Sequence, residues 1–310
     1  MTHRQSLFGW ALYDFANTIF SAIVLTFYFP LYLTDLTGRN LELGLATTTA
    51  MIFAGLTVPW LGGVSDRTGK TKGYLAATTL ACVFFTSTLS FFTQVSFLFA
   101  AFFFACFFFH ASLVFYSALL PVVAEPKRQG FASGLGTALG YLGVLFSVPI
   151  AQAVSNFWGR RFVFITAGVL FLVFSIPLFQ WVPERKVSNP AHPTWKLLGE
   201  EWRKVGKTAV SIFKEKPLLF FFLGNFFLVD AVNTAIFWLV VYMQRVFHPA
   251  PNQLVFIYLS LNFSAFLFGF LAGWLTDRWS ADKVLLMSAF ALFFTFLALG
   301  MSGGFWLSDG

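Results

Sequence analysis

The sequence predicts an all-α membrane protein, a bundle in which about nine helices cross a bilayer. Three observations carry this. Of 310 residues, 58% are apolar and 11% are charged, against about 25% charged in soluble domains, so the surface must face lipid. Apolar runs recur along the whole chain at the ~20-residue length that a ~30 Å hydrocarbon core demands of a helix. Lys and Arg are absent from the interiors of those runs.

Taken in order, the runs fall at 8–33, 42–64, 74–93, 96–120, 131–153, 161–182, 218–243, 253–275 and 283–301. They are too long for barrel strands and lack strict alternation, so the backbone must satisfy its hydrogen bonds within each segment. Phe contributes 45 residues, many in runs such as Phe102-Phe103-Phe104 and Phe220-Phe221-Phe222, expected to face lipid or pack between helices. Trp10, Trp60, Trp158, Trp181 and Trp274 fall near run ends, where an aromatic belt belongs. Cys82 and Cys106 lie inside apolar stretches and read as buried free thiols, without a disulfide framework or metal site. The first run is too long for a cleavable leader and has no small-residue cleavage site.

Basic residues set the expected orientation. With the N-terminus inside, the inner segments hold Arg4, Arg67, Lys70, Lys72, Lys127, Arg128, Arg185, Lys186, Lys196, Arg203, Lys204, Lys207, Lys214, Lys216, Arg278 and Lys283. The outer segments hold only Arg39, Arg160, Arg161 and Arg245. Sixteen of 20 basic residues on one side is a strong positive-inside bias. It accounts for the net charge of +7, so no nucleic-acid partner is implied; the partner is the lipid bilayer.

The longest polar stretch, 183–217, falls on the basic side. It divides the chain into a six-helix bundle over 1–182, a cytoplasmic linker over 183–217 and three further helices over 218–310. Within the linker Trp195, Leu198, Trp202, Val205, Ala209 and Ile212 recur at three- and four-residue spacing with Lys and Glu between them. That pattern predicts a helix lying in the membrane interface; a solvated, partly helical linker is the alternative.

Two motifs repeat. Gly62-Gly63-Val64-Ser65-Asp66-Arg67-Thr68-Gly69-Lys70 after the second run is echoed by Gly273-Trp274-Leu275-Thr276-Asp277-Arg278 after the eighth. Asp14-Phe15-Ala16-Asn17-Thr18 in the first run is echoed by Asp230-Ala231-Val232-Asn233-Thr234 in the seventh. The offsets are 211 and 216 residues, and six runs intervene, so a second bundle restarts the first in the same orientation.

Gly62-x-x-x-Asp66-Arg67-x-Gly69-Lys70 resembles the signature loop of the major facilitator superfamily. Trp10-Ala11-Leu12-Tyr13-Asp14-Phe15-Ala16-Asn17 and Ser133-Gly134-Leu135-Gly136-Thr137-Ala138-Leu139-Gly140-Tyr141-Leu142-Gly143 resemble, more narrowly, its vacuolar amino-acid effluxer-like branch and bacterial relatives. The second signature loop departs from the pattern, with Ser280 where the first has Gly69 and Ala281 where a base is expected. The resemblance implies a major-facilitator-type bundle of twelve helices, so nine imply a truncated sequence whose 218–310 segment is the first half of the second bundle. It implies amino-acid efflux in a bacterial cytoplasmic membrane, by a monomer using a small-molecule substrate and protons. It also implies that Gly62, Asp66, Arg67, Gly69, Lys70, Gly273, Asp277 and Arg278 stabilise one state of an alternating-access cycle.

Of thirteen acidic residues, eleven lie in loops or at run ends, and only Asp14 and Asp230 fall inside runs. An ionisable group there costs ~2.5–3.5 kcal/mol on insertion scales and marks function by default. No Lys or Arg lies in the interior of a run to neutralise either, so each must be protonated, hydrated, or paired with a cationic ligand. Asn17 and Asn233 lie three residues on, on the same helix face. These four, with His110 as the sole His inside a run, are the expected substrate or proton site; interhelical bracing is the bland alternative. Asn225, Asn262 and Gln152 are further polar positions in runs. Gly134, Gly136, Gly140 and Gly143 suit close helix packing.

Catalysis is not expected. Gly300-Met301-Ser302-Gly303-Gly304 fits Gly-x-Ser-x-Gly but follows an apolar run rather than a strand, and no His comes after it. No metal or cofactor motif occurs. The reading is a secondary active transporter of a small polar solute; the alternative is a truncated, non-transporting interaction protein.

Overall fold

The computed structural model describes residues 3–38, 41–184, 187, 190–192 and 194–307. Arg39, Arg185 and Lys186, and the side chain of Arg245, lie outside the described residues. The first span is one continuous helix in three parts: α1 (His3–Phe20), a π-helical stretch Ser21–Tyr28, and α2 (Phe29–Thr37). Pro30 gives a reason for the change in winding. Its ring would clash with the carbonyl four residues back in an α-turn, and that residue, Thr26, lies in the wider π turn. Gly38 ends α2 in the left-handed region at φ 67°, its N–H bonded to the Thr34 carbonyl at 2.8 Å.

There follow α3 (Leu41–Thr68), α4 (Thr71–Thr88), α5 (Val95–Ala118), the single turn α6 (Leu120–Val123) and α7 (Gln129–Trp158). Then come α8 (Phe162–Trp181), α9 (Trp195–Lys214), α10 (Lys216–Val246), α11 (Pro251–Arg278) and α12 (Ala281–Leu307). Among the described residues eight helices are long and apolar enough to cross a membrane. The remaining expected span, 74–93, is helical over α4. Its last residues instead form a tight turn, with Leu89, Ser90 and Phe91 N–H groups bonded three residues back. The Gly-x-Ser-x-Gly stretch at 300–304 falls inside α12, in helical backbone.

α1 lies between α7 and α8, α5 joins α3 to α4, α4 packs on α8, and α11 runs along α7. The core is aromatic: Tyr13, Phe20, Phe29, Phe102, Phe115, Phe164 and Phe171 are fully buried. Phe29 and Phe102 stack at 4.0 Å between ring centres. Phe runs split by helix face, since Phe102 is buried while Phe104, Phe220, Phe221 and Phe222 are exposed. In α10 to α12 few side chains are buried, among them Val240, Val241, Leu254, Val255 and Tyr258. Cys82 and Cys106 are free and buried.

One belt residue is not in a belt. Trp10 is buried, its indole stacked on Tyr116 at 4.4 Å and its Nε1–H donating to the Tyr116 carbonyl at 3.1 Å. The C-terminal end of α5 lies against α1 here, so Tyr116 covers a position near the run end. Trp158 and Trp274 remain exposed as a belt requires.

Candidate functional site

Asp14 faces α7 across Gly136. A Cβ at Gly136 would sit 3.1 Å from the Trp10 ring, 3.1 Å from the Tyr116 hydroxyl and 3.2 Å from Asp14 Oδ2. The glycine leaves room for the three groups to converge, and a side chain there would push them apart by a few tenths of an ångström. α7 meets α1 again where Gly140 and Gly143 lie against Thr18 and the Phe15 carbonyl. Three of the glycines predicted as packing residues, Gly136, Gly140 and Gly143, therefore seat α7 on the face of α1 that carries the acid, while Gly134 faces α11.

Around Asp14 the wall is aromatic. Tyr13 stacks on Tyr116 at 5.2 Å, and Tyr13, Tyr116 and Tyr141 all lie within electrostatic reach of the carboxylate. Tyr13 is spoken for: it hydrogen bonds the Thr79 hydroxyl at 2.6 Å, and Thr79 donates to the Leu75 carbonyl at 2.7 Å. The Tyr116 hydroxyl and Asn17 Oδ1 are different. Both are buried and have no hydrogen-bond partner, a costly state for polar atoms in a dry interior. Asp14 itself makes no hydrogen bond or ion pair among the described residues, and is half-buried.

Asp230 and Asn233 occupy a separate place. They line a cleft of about 370 Å³ on α10 with Asn225, Phe222, Phe226 and Val229, and both are exposed. Asp14, Asn17 and His110 do not line that cleft. His110 is half-buried on α5, edge-on to Phe109 at 5.2 Å. No His, Cys, Asp and Glu cluster suited to a metal ion occurs among the described residues.

The two signature turns are used differently. In the first, Gly69 closes α3 at φ 69°, with its N–H bonded to the Ser65 carbonyl at 3.0 Å, and Ser65 Oγ donates to Thr71 Oγ1 at 3.1 Å. Arg67 reaches the linker helix α9, bonding Glu200 at 2.9 Å and Glu201 at 3.2 Å; Gly62 lies against Val114 and Lys70 is exposed. In the second, α11 meets α7 backbone to backbone. A Cβ at Gly134 would be 3.0 Å from the Gly273 Cα. The Asp277 carboxylate lies over Gly130 in the first turn of α7, where exposed N–H groups favour an anion. Arg278 stacks over Trp274 at 5.0 Å.

Sequence reasoning missed Tyr116, and Glu200 with Glu201. Tyr116 meets Trp10 across 106 residues and Glu201 meets Arg67 across 134; no local pattern encodes either. Gly136 was visible as a packing residue but not as the floor of a site.

Comparisons with known proteins agree on the fold. An uncharacterised protein of Aquifex aeolicus is 26% identical over 298 residues, covering 94% of this chain and 71% of the relative. YxiO of Bacillus subtilis, described as an uncharacterised MFS-type transporter, is 26% identical, covering 89% of this chain and 69% of its own length. The solved proton:xylose symporter XylE, bound to 6-bromo-6-deoxy-D-glucose, superposes with a TM-score of 0.56 at 13% identity, over 89% of this chain and 69% of XylE. The family model for the Major Facilitator Superfamily matches residues 10–309: the chain belongs to that superfamily.

Proposed function

We propose that the protein is a proton-coupled secondary carrier of a small polar solute bearing an amino group, an amino acid of the effluxer-like branch, working by alternating access. The observation that carries the reading is the Asp14 site. Among the described residues, a carboxylate without a protein cation faces an unpartnered Tyr116 hydroxyl over Gly136. An ammonium group fits this set: it neutralises the acid, donates to both oxygens, and is attracted to the faces of electron-rich rings. A proton on Asp14 relieves the same charge, so substrate and proton compete for one group.

Residues 1–182 and 218–310 act as the two moving halves in this reading, joined by 183–217. The α7–α11 approach at Gly134 and Gly273, with Asp277 over the α7 N-terminus, holds the basic face closed and must part for that face to open. The N-terminus is cytoplasmic, consistent with the skew of basic residues, and the carrier is a monomer of a bacterial cytoplasmic membrane. Asp230 and Asn233 repeat the Asp14 pattern and take part when the halves exchange access.

Flux in proteoliposomes, across a panel of amino acids with and without a pH gradient, tests this. A subset of amino acids should move, with a rate set by the gradient. Asp14→Asn should cut flux about ten- to hundredfold, the worth of a charge-assisted hydrogen bond, and flatten the pH response. Unaltered flux and pH response in that variant overturn the role of Asp14.

A further inference from the structure

The linker helix α9 presents three faces, each with a different chemistry. At 3.6 residues per turn, Leu197 and Glu201 share one face, and it is docked: both are buried. Glu201 lies over Gly63 of α3, where any side chain would collide with it. It also takes Arg67 at 3.2 Å, with Glu200 holding the same guanidinium at 2.9 Å, and Lys204 lies 4.0 Å from it. Trp202 packs edge-on to Trp60 at 6.2 Å, and the Ala191 N–H binds the Arg67 carbonyl at 2.9 Å. The start of the helix is fixed by Thr194, whose hydroxyl accepts the Leu197 N–H at 3.2 Å.

The second face is apolar and largely exposed, with Leu198 and Val205 half-buried and Trp202 touching Trp60 by one edge. Trp195, Trp202 and Phe213 are 90%, 52% and 70% exposed, and Leu198, Val205 and Ala209 lie on the same stripe. The third face carries Lys196, Arg203, Lys207 and Lys214, all exposed, without an acidic partner among the described residues. α9 connects two membrane helices, α8 and α10, so a bilayer surface lies beside it. An apolar stripe flanked by one sign of charge is complementary to a layer with acyl chains below and anionic headgroups above.

We propose that α9 binds the anionic headgroup layer on the basic side of the membrane and clamps the α3–α4 turn to it through Glu201 and Arg67. The lipid surface fixes the depth of α9, and the ion pair transmits that position to the signature turn. The occupant is the lipid surface itself, because exposed apolar side chains (Trp195, Phe213) and exposed basic ones (Lys196, Arg203, Lys207, Lys214) run on two separate faces from the start of the helix to its end. The inference is independent of which solute the carrier moves.

The test uses the protein in phosphatidylcholine vesicles with or without phosphatidylglycerol. Fluorescent labels are placed at Phe213→Cys on the apolar face, or at Gly73→Cys at the start of α4, where nothing lies within 4 Å of a new Cβ. The native thiols are buried and stay unlabelled. With phosphatidylglycerol, quenching of the Phe213→Cys label by lipid-borne quencher should increase, and the Gly73→Cys label should lose mobility. Replacing Lys196, Arg203, Lys207 and Lys214 together by Gln should abolish both differences. Partition of α9 to the anionic surface should weaken about fivefold per charge removed. Glu200→Gln together with Glu201→Gln should leave α9 deep but free the Gly73→Cys label, and Arg67→Gln must do the same from the other side of the ion pairs. Equal quenching in the two lipid compositions overturns the lipid claim. A Gly73→Cys label that responds to lipid unchanged in both the double Gln variant and Arg67→Gln overturns the clamp.

Discussion

At the scale of residues, the sharpest feature is a set of polar atoms that the protein leaves unsatisfied. Asp14 and Asn17 were legible in the sequence because a charge in an apolar run is costly and needs a reason. The Tyr116 hydroxyl was not, since a Tyr at a helix end is ordinary and its neighbours come from α1 and α7. Gly136 supplies a direct check. Gly136→Ala places a methyl 3.1–3.2 Å from the Trp10 ring, the Tyr116 hydroxyl and Asp14 Oδ2, tighter than normal contact. Expression and helix content should hold, while solute flux falls about tenfold or more, the loss expected when a charged hydrogen bond is displaced. Tyr116→Phe should weaken substrate binding by about five- to tenfold, a neutral hydrogen bond's worth, and should leave the stacked Trp10 ring in place. Equal flux in both variants removes the site from transport.

At the scale of elements, two copies of one sequence motif do different work. The Gly273 copy brings α11 against α7, and the Gly62 copy receives the linker helix. The repeat itself was legible, as was the helix-capping role of Gly69, which needs only the left-handed backbone. Their divergent partners were not, because packing partners depend on which helix lies alongside. If Asp277 stabilises the closed basic face through the N-terminus of α7, the contribution is ~0.3–1 kcal/mol. Asp277→Asn should then raise the thiol-labelling rate of Gln129→Cys about two- to fivefold. Gly134→Val should raise it further, because the side chain cannot coexist with the Gly273 backbone. No change in either variant means that the contact does not govern opening.

At the scale of the whole molecule, the expected orientation assigns the two ends of the bundle to opposite sides of the membrane, and each end can be tested. The Asp35–Arg160 ion pair and the Ser90 hydroxyl bonded to the Arg161 carbonyl lie at one end. At the other, Lys72 donates to the Phe179 and Val182 carbonyls, and Ser6 donates to the Trp181 carbonyl. With the N-terminus inside, a membrane-impermeant thiol reagent should label Phe157→Cys in intact cells, a position 83% exposed. Gly73→Cys should react only after the membrane is opened. The reverse pattern inverts the topology.

The sequence by itself determined the membrane class, the helical spans, the internal repeat and the two intramembrane acids. Each follows from composition and spacing: lipid excludes charge, a fixed core thickness sets helix length, and a carboxylate in an apolar run stands out. Only the tertiary structure decided that Trp10 leaves the belt for the core, that Gly136 brings Asp14 to Tyr116, and that Arg67 belongs to the linker. Those facts are contacts between helices far apart in the chain, and contact depends on how apolar faces that look alike in sequence find different neighbours in space.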